Sequence, residues 1–208
     1  MSENRSDGGR HGGSDRGAPR SNSAAASPPA EPDDCLAMTW PAAAPGPAVP
    51  RLDSAYRLTP GFDQRAFVSV QTSIGFDVTD DHMAHLASTL VAPFMVFAVL
   101  KATNEATAVA AAERRAPGWV ELSWVAVAPS HRGRGLGRAV CSAVTHDLVS
   151  AGERVVLSTQ DERTAALAIY FEVGFQPVFR IDKVDRWRSA CDHLGKEFAP
   201  DAWGWPAS

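Results

Sequence analysis

The stretch 124–140, WVAVAPSHRGRGLGRAV, decides how this chain is read: an apolar run passes directly into glycines alternating with arginines, and then into helical periodicity. The order strand, glycine loop, helix aims free backbone N–H groups and the positive end of a helix dipole at an anion. Gly133, Gly135 and Gly137 carry no Cβ to collide with a ligand, and Arg132, Arg134 and Arg138 place charge where phosphate oxygens would lie. A dinucleotide fingerprint GxGxxG starting at Gly133 would need glycine where Arg138 stands, and no GK[ST] follows for a nucleotide-triphosphate loop. An RGG nucleic-acid motif is normally repeated and unstructured, whereas this one is single and wedged between a strand and a helix. The pattern that fits is RxxGxG, read as Arg132, Gly135 and Gly137.

Outward from the loop, Leu136, Val140, Val144 and Leu148 recur at helical spacing, and Gly152 ends the run. RVVLSTQ reads as a buried strand, RTAALAIYFEVGF as a helix stopped by Gly174, QPVFRI as a last strand and DKVDRWRSACDHLG as an amphipathic helix. Upstream, SAYRL reads as a short strand, and the next segment puts Phe62, Ala66, Phe67 and Val70 on one helical face. A second helix opens at Thr79 as N-cap, with acidic residues in its first turn. FMVFAVLKA and ATAVAAAER flank TNE as a hairpin, and GWVELSWVAVAP is the strand that Pro129 ends. Early strands followed by strand, helix, strand, helix, strand predict an α/β fold with a central mixed sheet flanked by helices.

With 208 residues, 45% of them hydrophobic, the chain suits one sizeable core. Gly, Ser, Ala and Pro dominate residues 1–50, which are expected to form a disordered tail, with Trp40, Leu36 and Met38 as candidates to dock on the domain. Residues 51–197 are expected to be the domain and 198–208 a short C-terminal tail. A net charge of -4 argues against nucleic acid as the main partner. Cys35, Cys141 and Cys191 form no CxxC pair, so no disulfide framework or zinc site is indicated. The N-terminus lacks the apolar core of a signal peptide, and VAPFMVFAVL is too short to span a bilayer; a cytoplasmic protein with no membrane partner is expected.

RxxGxG after a strand, followed by AIYFEVGFQPVF with its Tyr and GF, resembles the GCN5-related N-acetyltransferase superfamily over roughly residues 54–195. The resemblance implies a GNAT-like acyl-CoA N-acyltransferase fold with acetyl-CoA as co-substrate and no metal. It implies that the backbone of Val125, Ala126 and Val127 grips the pantetheine arm in a gap against RVVLSTQ. The loop amides from Gly133 through Arg134, Gly135, Leu136 and Gly137 to Arg138, beside Arg132, then hold the pyrophosphate. For the two valines, ordinary strand core is the competing reading.

An alkylamine attacks a thioester only when unprotonated, so a base is useful. Glu121 stands eleven residues before Arg132, as does the carboxylate base of the histone-modifying members that the sequence resembles. Alternation puts it on the side of Ser123 and Val125; water as base, with Glu121 merely solvated, is the competing reading. Tyr170 matches the tyrosine that protonates the departing thiolate, against a buried structural role. Arg163 stands where many members carry an Asn that contacts the pantetheine. His131 is read as structural or as a phosphate contact, and His82 and His85 as an exposed helix face rather than metal ligands. Asp80, Asp81 and His82 border the acceptor region by resemblance, and Trp119, Trp124 and Trp187 are read as core before acceptor pocket.

The resulting expectation is transfer of an acetyl group from acetyl-CoA to a primary amine by direct attack in a ternary complex. The alternative is a non-catalytic acyl-CoA-binding or interaction module; nucleic-acid binding through the Arg/Gly segments comes third. The sequence does not select among polyamine, amino acid, aminoglycoside-like amine and protein amine as acceptor, and it leaves a homodimer open.

Overall fold

Strands β3 (Leu90–Leu100) and β4 (Glu105–Ala116) close the expected hairpin through a turn in which Asn104 takes φ +61, a conformation Asn tolerates better than most residues. Gly118, at φ +74, then turns the chain into β5 (Trp119–Val127), and β2 (Tyr56–Pro60) pairs with the outer edge of β3. In this computed structural model, which describes residues 28, 29 and 32–206, the remaining strands are β1 (Leu36–Thr39), β6 (Arg154–Thr159) and β7 (Gln176–Pro177). One mixed sheet results, in the order β2-β3-β4-β5-β6-β1-β7, with β5 and β6 parallel and every other described pair antiparallel.

Helix α1 (Gln64–Ser73) starts where the Asp63 side chain accepts from the Ala66 N–H. Helix α2 (Asp80–Thr89) starts at Thr79, whose hydroxyl accepts from the His82 N–H while His82 Nδ1 accepts from the Thr79 N–H. Together they lay Phe67, Val70 and Leu86 on Met95, Phe97, Val109 and Ala111 of one sheet face. Phe62, which spacing placed on that helical face, precedes the helix and is 50% exposed.

The other face is covered by α3 (Leu136–Ser150), α4 (Thr164–Val173) and α5 (Val184–Leu194). Leu136, Val140, Val144 and Leu148 of α3 are buried in one cluster with Ala108, Ala110 and Ala112 of β4 and Leu157 of β6. Those alanines leave room for the helix to lie close to the sheet. Parallel β5 and β6 require a long crossover between them, which α3 supplies.

Three sequence expectations change. Order begins before residue 51: Leu36 and Met38 are fully buried in β1, which fills the sheet between β6 and β7, and Gly46 and Pro47 pack on His146 of α3. Three apolar residues sufficed because a strand borrows its hydrogen bonds from neighbours and needs little local periodicity. Residues 1–27 of the expected tail lie outside the described residues. At the other end, 198–208 is not merely a tail, since Trp205 is buried and donates Nε1–H to the Pro177 carbonyl at 3.0 Å. QPVFRI keeps only its first two residues as strand, Gln176 and Pro177 opposite Thr39 and Met38, and one more bond, from the Val178 N–H to the Ala37 carbonyl at 2.9 Å, follows them.

Candidate functional site

Parallel pairing between β5 and β6 covers only Trp119↔Arg154, Val120↔Val155 and Glu121↔Val156. From Leu122 to Val127 the β5 edge has no strand partner on that side, so the sheet opens into a wedge with Glu121 at its apex. Within the open stretch β5 is irregular. Opposite β4, Ala111 pairs with Ser123 and Val109 with Ala126, leaving Trp124 and Val125 to face Ala110 alone. Trp124 takes φ +54, a strained conformation for a bulky residue, and Gln71 Nε2 donates to its carbonyl at 2.9 Å. Phe67, Phe76 and His82 hold its ring, with centroids 5.3, 5.7 and 6.0 Å away.

This bulge corrects the alternation argument. Glu121 and Ser123 share the α1/α2 face, but the extra residue moves Val125 and Val127 to the α3 side, beside Val120 and Leu122, and returns Trp124 and Ala126 to the α1/α2 side. Both valines are half-buried against the α3 cluster and also carry the open backbone edge, so core packing and edge exposure coexist there.

At the wide end of the wedge, a single 3-10 turn (Pro129–His131) leads into the glycine loop. Gly133 and Gly135 both take φ +73, and nothing stands within 4 Å of where a Cβ on either would be. Gly135 is the N-cap of α3 and supplies no side-chain cap, so the first amides of that helix face outward with the positive end of its dipole. Gly137 differs: a Cβ there would meet Ile169 Cδ1 at 3.0 Å and Val127 Cγ2 at 3.3 Å, so its role is close packing of α3 against α4 and β5. Arg132 Nε donates to the Val127 carbonyl at 3.3 Å and ties the loop to the strand end. Arg134 is exposed, and Arg138 lies 3.9 Å from Glu172. His131 Nδ1 lies 2.9 Å from the Tyr56 hydroxyl, a contact that fastens the turn to β2.

Two titratable side chains flank the wedge. Glu121 pairs with Arg115 at 3.0 Å, yet its side chain is only 14% exposed, and burial pushes its carboxyl above the usual range against the opposing pull of Arg115. Tyr170, on the α3 side, is 6% exposed and edge-on to Phe175. Burial raises its hydroxyl well above the ordinary value, with a further push from Cys141 and a smaller one from Glu121, so the phenol stays protonated near neutral pH. Arg163 is the N-cap of α4 without a side-chain cap bond. Cys141 is buried in α3, which pushes its thiol up to about 12 and leaves it inert.

Residues outside this constellation fall into place. Trp119 lies 7% exposed beneath Arg154, whose guanidinium is 4.5 Å from the ring centroid, and Trp187 is fully buried. Asp80 and Asp81 occupy the first turn of α2. Among the described residues, no group of three or more His, Cys, Asp or Glu could hold a metal ion. Sequence reasoning missed Gln71, the carbonyl clamp of the bulge, and Glu113, a carboxylate on β4 that is 7% exposed. Glu113 was visible as the polar residue ending AVAAAE, but its partners are distant in sequence.

Residues 99–184 match the family model described as FR47-like protein. Solved structures with the same architecture include a GCN5-related N-acetyltransferase from Sphaerobacter thermophilus, at 22% identity and TM-score 0.59 over 69% of this chain and 48% of that one. An acetyltransferase of the GNAT family from Novosphingobium aromaticivorans matches at 20% identity and TM-score 0.52, over 69% of this chain and 59% of that one. The chain has the GCN5-related N-acetyltransferase fold. Within it the wedge, the bulge and the glycine loop are contiguous, and the family-model match spans all three. The ribosomal-protein-S18-alanine N-acetyltransferase of Escherichia coli shares this fold at 18% identity and TM-score 0.50, over 60% of this chain and 79% of that one. The chain spans about half the length of the first structures it matches, at 48%, 53% and 48%. No curated protein matches it by sequence.

Proposed function

We propose that this protein transfers an acetyl group from acetyl-CoA to a primary amine by direct attack in a ternary complex. The observation that carries the reading is the wedge between β5 and β6, closed at Glu121 and open toward the uncapped N-terminus of α3. An extended pantetheine arm fits an unpaired strand edge, and a pyrophosphate fits the outward amides of Leu136, Gly137 and Arg138 beside two glycines with nothing within 4 Å of a Cβ position. Arg132 and Arg134 add charge at that end.

Glu121 accepts the proton of the incoming ammonium, whose amine then attacks the thioester carbonyl; backbone N–H at the Trp124 bulge stabilises the developing oxyanion. As the C–S bond breaks, Tyr170 gives its proton to the departing thiolate, and the proton that the attacking nitrogen sheds on becoming an amide restores the phenol. α3 and its core fill the other sheet face, so the amine approaches from the α1/α2 side, where Glu121 lies.

Calorimetric titration with acetyl-CoA, using ATP and NAD as controls and Gly135→Glu as the site variant, tests this reading. Selective binding lost in G135E, followed by thiol release with at least one amine, supports it. Absence of binding by folded protein overturns it, and binding without turnover on any amine leaves a non-catalytic acyl-CoA-binding module.

A further inference from the structure

Glu113 is a buried carboxylate that the proposed chemistry does not use. On β4 it stands directly opposite Glu121 of β5, so both side chains rise from the same sheet face. Cβ atoms of such cross-strand partners lie about 4.5–5.5 Å apart, within reach for one carboxyl to bond another when one proton is shared. Thr89 Oγ1 donates to Glu113 Oε1 at 2.6 Å, and His85 Nε2 lies 3.3 Å from the same oxygen. The chain of groups ends in water, because the His85 side chain is 60% exposed while that of Glu113 is 9% exposed.

Building on the transferase reading, we propose that Glu113 and His85 form a relay that sets the proton affinity of Glu121 and carries its proton to solvent. Glu121 takes a proton from the acceptor ammonium, Glu113 receives it from Glu121, and His85 receives it from Glu113 and yields it to bulk water. Each step moves one proton, and Glu121 returns to its carboxylate for the next cycle. Glu113 and His85 are positioning residues, since both act through Glu121.

Other charges at this site are few. Arg115, two residues along β4, pairs with Glu121. From β6, Arg154 is engaged with Trp119 and the Gly118 carbonyl. α1 turns only the neutral Phe67, Val70 and Gln71 inward, and His82 of α2 is held by Thr79. The Glu113 charge adds to the burial that already lifts the Glu121 carboxyl.

Two measurements on the full chain test the relay. NMR titration of the Glu121 carboxyl should show its midpoint falling by about half a unit or more in Glu113→Gln, because a like charge has been removed; an unchanged midpoint overturns the coupling. Turnover of His85→Gln should drop several-fold at saturating substrates and recover with added imidazole, whereas wild-type turnover stays independent of imidazole. An unaffected H85Q, or a loss that imidazole does not restore, overturns the path. Unchanged acetyl-CoA affinity and a single cooperative thermal transition in both variants establish that they fold. If wild type acetylates no amine, the transferase reading is what fails, and the Glu121 titration, which needs no turnover, still decides the coupling.

Discussion

At the scale of single residues, Glu121, the base of the proposed chemistry, is a structural cost. Its folded-state proton affinity exceeds that of an exposed carboxyl because burial outweighs Arg115. A carboxyl raised in this way is penalised once deprotonated, so the fold loses stability as pH rises through its range and carries the penalty at neutral pH. Glu121→Gln is therefore expected to raise the melting temperature at pH 7 while removing the acid limb of the kcat/KM profile. Calorimetry and pH-rate measurements on the same preparation check both signs. Tyr170→Phe removes the proposed proton donor but keeps the ring packed on Phe175, so turnover should fall at least tenfold with acetyl-CoA affinity unchanged. Equal losses in binding and turnover would mean that the hydroxyl serves packing.

Secondary-structure elements set where those residues can act. The β5 bulge depends on a side chain of α1, since Gln71 satisfies the Trp124 carbonyl that the bulge frees from the ladder. Gln71→Leu leaves that buried acceptor unpaired, at a cost of about 1–3 kcal/mol; chemical denaturation measures it, and turnover should fall with it. At Gly137 the packing of three elements leaves no space for a larger side chain. Gly137→Val is expected to cost about 1–3 kcal/mol by overpacking and to weaken acetyl-CoA binding by shifting the start of α3. Gly133→Val, by contrast, has open space but a left-handed backbone, so its penalty is conformational.

Across the whole molecule, integrity depends on a strand far from the site in sequence. β1 bridges β6 and β7, and Met38 within it is fully buried. Met38→Ala should destabilise the protein by about 2–5 kcal/mol, read as a lower denaturation midpoint with an unchanged slope. Two Arg–carboxylate pairs fasten distant segments: Arg114 with Glu153, and Arg186 with Asp161, at shortest distances of 2.7 and 2.5 Å. Hydrogen bonds from the guanidinium hold both carboxyls below their ordinary range. Their contribution is present above the unfolded carboxylate range near about pH 4 and is lost as pH falls through the lower folded values, so Asp161→Asn should flatten acid denaturation.

The sequence by itself determined the loop and the elements that carry their own local signals. Periodicity in α3, the asparagine turn between β3 and β4, the Thr79 cap and RxxGxG are local signals, each written within a few residues of where it acts. Tertiary structure decided the rest. The bulge reverses the facing of Val125 relative to Glu121 and is visible only as a shift in register between two strands. β1 is ordered because β6 and β7 lend it hydrogen bonds and an apolar neighbourhood that its own four residues do not announce. Glu113 becomes a partner of Glu121 only across a strand pair, and of His85 only through a helix packed on that face. Local chemistry is readable in order along the chain; adjacency between distant residues exists only once the sheet has formed.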